Sequence, residues 1–263
     1  MSRASDDTAR LTVVFLPAML CNDELYRPQI EALRDFVDPM VLTVAEATMA
    51  ESATAVLQQA PSRFLLVGTS YGGSLALEVI TREPSRVLGL WLMGCSAGPH
   101  SDPTAARLRN DRVQRGEFDA VVEELTATIT YDGGPHSVET ASSFRRMARR
   151  AGPGEFLRQN TALLGRLDRR ADLARVACPT LLVWGREDRF AAVRHAAELS
   201  ALIPAARLVV LDGCGHLPTL ERPDATIALA REWLGHCRRT ADIASQAERP
   251  SSASASSLPP CAW

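Results

Sequence analysis

Apolar residues fall along this chain in short, nearly continuous runs, separated by stretches where they recur at helical spacing. The first run, Leu11 to Leu16, stops at Pro17. So short and unbroken a run fits a strand buried on both faces, as parallel sheets require. Leu25, Ile30, Leu33 and Phe36 then predict a helix from Leu25 to Phe36. Val41 to Val44 reads as a second strand, and Ala47 to Ala60 as a second helix closed by Pro61. Phe64 to Val67 is the third run, with helical spacing resuming over Ser74 to Thr81. Val87 to Met93 is a fourth strand, ending at Gly94. Alternation of this kind predicts an α/β fold, a mostly parallel sheet with helices on both faces.

The rhythm breaks over 97–177, where the chain offers helical segments rich in Arg, Glu and Ala and no convincing strand. Gly133-Gly134-Pro135 and Gly152-Pro153-Gly154 punctuate them. One crossover helix needs far fewer residues than this. The insertion is therefore expected to form a helical cap over the strand ends rather than to cover a sheet face. Alternation resumes with strand Thr180 to Gly185, helix Ala191 to Leu202, strand Arg207 to Leu211 and helix Pro223 to about His236. The expected division is a core of 1–96 and 178–238, a cap of 97–177 and a tail of 239–263. The tail's Ser, Ala and Pro cannot bury enough apolar area to offset chain entropy, so it is expected to be disordered.

Composition narrows the function classes. A length of 263 residues suits one large α/β domain or two small ones, and a net charge of −2 gives no reason to expect nucleic acid or an acidic membrane as partner. The basic cluster Arg145-Arg146-x-x-Arg149-Arg150 reads as a solvated helix face. The six cysteines form no C-x-x-C pair, the first ten residues lack the apolar stretch of a signal peptide, and no run is long enough to span a bilayer. The expectation is a cytoplasmic protein with free thiols. Cys214-Gly215-His216 has no second ligand pair at a spacing that would hold a metal.

The candidate chemistry centres on Gly68-Thr69-Ser70-Tyr71-Gly72, between the third run and its helix. A serine on so sharp a strand-to-helix turn has strained backbone angles and needs neighbours almost without side chains. Its hydroxyl stands above the sheet edge, at a helix N-terminus that favours negative charge. Serine needs a base, and of the five histidines His216 alone lies in a loop just after a core strand. For the acid, Asp188 and Asp212 both follow core strands. Asp188 comes from a neighbouring strand and can approach the imidazole from the side; Asp212 is expected to brace the loop and Glu187 to face solvent. The oxyanion donors are expected to be the backbone N–H groups of Tyr71 and of Met19, in the loop after the first strand.

Together these residues resemble the α/β-hydrolase superfamily, in the capped lipase/esterase-like branch that includes carboxylesterases, enol-lactonases and carbon–carbon bond hydrolases. The resemblance covers Leu11 to about Cys237. Ser70, Asp188 and His216 follow one another in the family's order of nucleophile, acid and base. Cys178-Pro179-Thr180-Leu181-Leu182-Val183-Trp184-Gly185-x-x-Asp188 looks like its acid-bearing strand, and Gly213-x-Gly215-His216-x-Pro218-x-x-Glu221-Arg222-Pro223 like its histidine loop. Two features depart from the pattern. Pro17-Ala18 stands where the oxyanion loop usually begins His-Gly, and the usual leading hairpin has no counterpart, leaving about six strands. The resemblance implies a serine hydrolase of a small carboxylic ester, thioester or lactone that needs no metal or organic cofactor. A carbon–carbon bond hydrolase with the same triad, or a binding protein on a decayed hydrolase fold, are the alternatives. The fold's dehalogenase branch carries an aspartate where this chain has Ser70.

Overall fold

The unbroken apolar runs become strands because both faces of the sheet they build are covered. A computed structural model describes residues 10–204 and 206–247. It contains β1 (Leu11–Leu16), β2 (Val37–Val41), β3 (Phe64–Thr69), β4 (Val87–Met93), β5 (Thr180–Gly185) and β6 (Ala206–Leu211). They form one sheet in the order β2-β1-β3-β4-β5-β6, each neighbouring pair parallel. Successive side chains on a strand point to opposite faces. Val13 and Phe15 accordingly join Val67, Trp91 and Val183 in one apolar layer, and Val14 and Leu16 join Leu66, Leu92 and Trp184 in the other. Helices α1 (Arg27–Leu33) and α9 (Pro223–Ala247) close the first layer through Leu33, Ala230 and Trp233. Helices α2 (Met49–Gln59), α3 (Tyr71–Arg82) and α7 (Arg194–Leu202) close the second through Val56, Leu75 and Leu199.

Several boundaries differ from the sequence reading. The second strand pairs over Val37–Val41, not Val41 to Val44, although Leu42 N–H still donates to Phe15 O at 3.0 Å. Pro39 is tolerated there because β2 is an edge strand, with one side free of ladder bonds. The stretch read as one helix from Leu25 to Phe36 divides into a 3-10 turn, Asp23–Tyr26, and α1. The tail expected to be disordered from 239 instead continues α9 to Ala247, and 248–263 lie outside the described residues.

Between β4 and β5 stand α4 (Pro103–Gln114), α5 (Phe118–Ile129) and α6 (Ser137–Leu164). Within the last, Gly152 at φ 81° breaks the helix just before Pro153, the usual place for a kink. The three pack on one another, and α6 also touches α3 and α8 (Pro218–Glu221), which begin just past the C-terminal ends of β3 and β6. Two buried carboxylates tie this insertion to the sheet layers. Glu24 accepts from Arg146 at 2.6 Å and Arg150 at 3.0 Å, and Glu78 on α3 accepts from Arg169 at 2.6 Å and Arg82 at 2.7 Å. The basic cluster is thus paired rather than merely solvated, since Arg145 and Arg149 reach Glu123. At the base of the insertion Arg169 N–H donates to Ala97 O at 2.8 Å.

Candidate active site

Ser70 sits between β3 and α3 at φ 55°, ψ −112°, a left-handed conformation that costs an L-residue on the order of 1–3 kcal/mol. The surrounding contacts hold it there. Ser70 N–H donates to Met93 O at 2.8 Å, at the end of the neighbouring strand. A Cβ on Gly68 would lie 2.4 Å from Gly72 O, and one on Gly72 would lie 1.9 Å from Leu16 O. The glycines therefore serve close packing: the turn folds on itself while the loop after β1 crosses directly over it.

That loop is built to a fixed shape. Ala18 is buried in the apolar layer, and its carbonyl accepts from Cys21 N–H at 2.9 Å, so its Cβ points into packing. Leu20 adopts φ 63°, and its N–H donates to Oε1 of the buried Gln159 on α6 at 2.8 Å. Met19 lies between them, half-buried. Tyr71 turns its ring inward, its hydroxyl donating to Val44 O at 3.1 Å, and burial pushes that hydroxyl up to about 12.

Asp188 and His216 meet. Oδ2 of Asp188 lies 2.8 Å from Nδ1 of His216, and both side chains are almost wholly buried. The other carboxylate oxygen accepts from Phe190 N–H at 2.8 Å and Ala191 N–H at 2.7 Å. An ionised carboxylate only accepts, so a hydrogen bond to it uses the proton on Nδ1, and in the neutral ring that leaves a lone pair on Nε2. Nε2 is buried with no hydrogen-bond partner among the described residues. The ring packs 5.0 Å from the Phe190 ring and against Gly94, where a Cβ would stand 2.7 Å from its Cε1. Gly94 and Phe190 line the same cavity, of about 250 Å³, as Ser70.

The histidine loop is held by carboxylates that the sequence reading left out or misplaced. Buried Glu221 accepts from the N–H groups of Gly215 (2.8 Å), Leu217 (3.0 Å) and Tyr131 (3.0 Å). Burial still holds its carboxyl above the usual range. Glu187, expected to face solvent, is half-buried and accepts from Cys214 N–H at 2.9 Å. Asp212 is the exposed one, paired with Arg186. Burial pushes the Cys214 thiol up, and among the described residues no three His, Cys, Asp or Glu side chains converge as a metal site.

Other cavity walls were not foreseen. His100 and Ser96 come from the loop after β4, Ser74 from α3, His195 from α7 and Arg166 from the segment after α6. Position past a strand's C-terminal end was the usable signal for Ser96. Of the insertion's apolar residues, Leu163 reaches the cavity, whereas Phe144 and Phe156 are packed in the core.

Comparison with known proteins agrees with this architecture. The chain is 28% identical over 194 residues to the pimeloyl-[acyl-carrier protein] methyl ester esterase of Edwardsiella ictaluri, spanning 71% of this chain and 75% of the relative. It is 27% identical over 182 residues to a 2-hydroxymuconate semialdehyde hydrolase of Pseudomonas putida, spanning 64% and 61% of the two chains. Among solved structures, an enol-lactonase from Burkholderia xenovorans superposes with a TM-score of 0.77 at 19% identity, covering 86% of this chain and 92% of that one. A thermophilic esterase from Thermogutta terrifontis superposes with a TM-score of 0.78 at 24% identity, covering 86% and 90%. Among the described residues no helix is long and apolar enough to cross a membrane. The model of the alpha/beta hydrolase family matches residues 15–229, most of the chain, and to that family the chain belongs.

Proposed function

We propose that this protein is a serine hydrolase that cleaves a small carboxylic ester, thioester or lactone through an acyl-enzyme on Ser70. The observation that carries the reading is the His216 ring. Its Nδ1 is tied to Asp188 at 2.8 Å, its Nε2 is buried without a partner among the described residues, and the ring lies against Gly94 and Phe190, which line the same cavity as Ser70. In this scheme Nε2 takes the Ser70 proton as Oγ attacks the carbonyl carbon. Asp188 orients the ring and stabilises the imidazolium. The N–H groups of Met19 and Tyr71 receive the oxyanion. Nε2 then gives its proton to the leaving oxygen or sulfur, and a water activated by the same nitrogen releases the acid. Hydrogen bonds of this kind commonly tighten only with substrate present, so an Nε2 without a partner is compatible with the base role. The insertion 97–177 acts as the cap that shapes the acyl pocket. A cavity of about 250 Å³ suits a short acyl group rather than a large ligand.

A fluorophosphonate probe with mass mapping, applied to the wild type and Ser70→Ala alongside turnover of p-nitrophenyl acetate and butyrate, tests this. The expected result is an adduct on Ser70 and loss of turnover in the variant. A wild type that neither labels nor turns over sinks the reading and leaves a binding protein on a hydrolase fold. Cleavage of a carbon–carbon bond is the second reading, favoured by the similarity to the 2-hydroxymuconate semialdehyde hydrolase. Vinylogous diketone turnover exceeding ester turnover would replace the first by the second.

A further inference from the structure

The cavity beside Ser70 holds an arginine without an acid. Arg109 pairs with Glu124 at 3.2 Å and Arg189 with Asp132 at 3.5 Å, but no carboxylate among the described residues lies within 4.0 Å of the Arg166 guanidinium. Its contacts are neutral. Nε donates to Gly98 O at 2.9 Å, Nη2 to Ser96 Oγ at 2.9 Å and Pro99 O at 3.1 Å, and Nη1 to Ser74 Oγ at 3.3 Å. Of the side chains lining the cavity, Asp102 supplies the one carboxylate, and its Oδ1 is engaged by Ala105 N–H as the cap of α4.

A half-buried guanidinium that faces a cavity and pairs with no carboxylate is costly unless an anion completes it. The field is felt nearby: burial lowers His100 and His195, and Arg166 adds to both effects. The neighbouring hydroxyls are also poised. Ser74 and Ser96 each accept from Arg166, which leaves each O–H free to donate to a third group. We infer that Arg166, with Ser74 and Ser96, forms a subsite for a carboxylate on the substrate, so the preferred substrate is the ester, thioester or lactone of a dicarboxylic acid. This rests on the serine-hydrolase reading above and names its substrate class. Ser74 lies one helical turn beyond Ser70, its N–H donating to Ser70 O, a rise of roughly 6 Å. The second carboxylate therefore stands a short methylene spacer from the carbonyl under attack.

The test is kcat/KM for monomethyl glutarate and for methyl pentanoate, which matches it in chain length, by acid release at constant pH. The proteins are the wild type, Arg166→Met and Arg166→Lys, with fluorophosphonate labelling of Ser70 run in parallel. The wild type is expected to favour the half-ester by at least about tenfold, and the ratio should fall about 10- to 100-fold in Arg166→Met and less in Arg166→Lys. A wild type that labels on Ser70 but shows equal kcat/KM for the two esters overturns the inference alone. So does a ratio unchanged in Arg166→Met, which would leave the arginine holding the loop after β4. Should Arg166→Met fail to fold, protection of the wild type decides. Free glutarate must slow labelling of Ser70 more than pentanoate does, and equal protection overturns the subsite. A wild type that does not label sinks the serine-hydrolase reading, and the substrate class falls with it.

Discussion

Gly94 shows how little room the His216 ring has. It follows β4 at φ 58°, and its missing Cβ is the space the imidazole occupies. Gly94→Ala should strain the backbone by about 1–2 kcal/mol and push the ring from its place. A displacement near 1 Å in such a site costs about a hundredfold in rate. The expected outcome is a comparable fall in the rate of fluorophosphonate labelling, with the fold retained by thermal melting. At this scale the sequence was most legible where the structural cue is local. Ser70 was marked by the glycines around it, and His216 by its loop. Glu187 and Glu221 were harder to read. Their work is to accept backbone N–H groups from Cys214, Gly215, Leu217 and Tyr131, the last of them in the insertion. Nothing in the spacing of a carboxylate tells which loop will fold across it.

Among elements, the strand runs were legible because double-sided burial demands an unbroken apolar stretch. The edge strand was not, since its whole ladder is set by the register Val13↔Pro39 on β1, its one partner, and not by an apolar run of its own. The far end of α9 was missed for a different reason: helix hydrogen bonds are local, so a polar stretch can continue a helix once it is nucleated. The loop after β1 draws its shape from outside itself as well. Gln159 on α6 accepts the N–H of Leu20, next to the Met19 donor proposed for the oxyanion. Gln159→Ala leaves a buried N–H unpaired, a stability loss of about 1–3 kcal/mol. Once Met19 is free to drift, kcat on p-nitrophenyl butyrate should fall about 10- to 100-fold while KM changes little, as befits a donor that acts on the transition state. Loss of stability with kcat intact would separate the loop's anchoring from the chemistry.

Across the whole molecule, Glu24 and Glu78 fasten the insertion to opposite layers of the sheet sandwich. The hydrogen bond from Arg146 holds the Glu24 carboxyl below the usual range. Burial raises that of Glu78, but Arg169 and Arg82 outweigh it and leave the net shift downward. A carboxyl depressed on folding adds stability above its unfolded value of about 4.3, and that stability is lost as pH falls through the folded value. Melting temperature should therefore drop below about pH 4.3 in the wild type. Glu78→Gln should be less stable at neutral pH by about 1–3 kcal/mol, and its melting temperature should fall less steeply with acid. Parallel pH curves for the two proteins would remove Glu78 from the acid response.

The N–H of Arg169 meeting the carbonyl of Ala97 has an implication for how such a chain can diversify. One stem leaves β4 past Met93, the other leads on to the start of β5 at Thr180, beside Leu90, and that bond stitches the two together outside the helices α4 to α6. Whatever lies between them is a closed excursion whose length the sheet never registers. The nucleophile, base and acid proposed above, Ser70, His216 and Asp188, all stand outside that excursion. Selection can therefore vary that one contiguous cassette so long as Gln159 keeps its hold on the loop after β1 and Tyr131 and Ile129 theirs on the histidine loop.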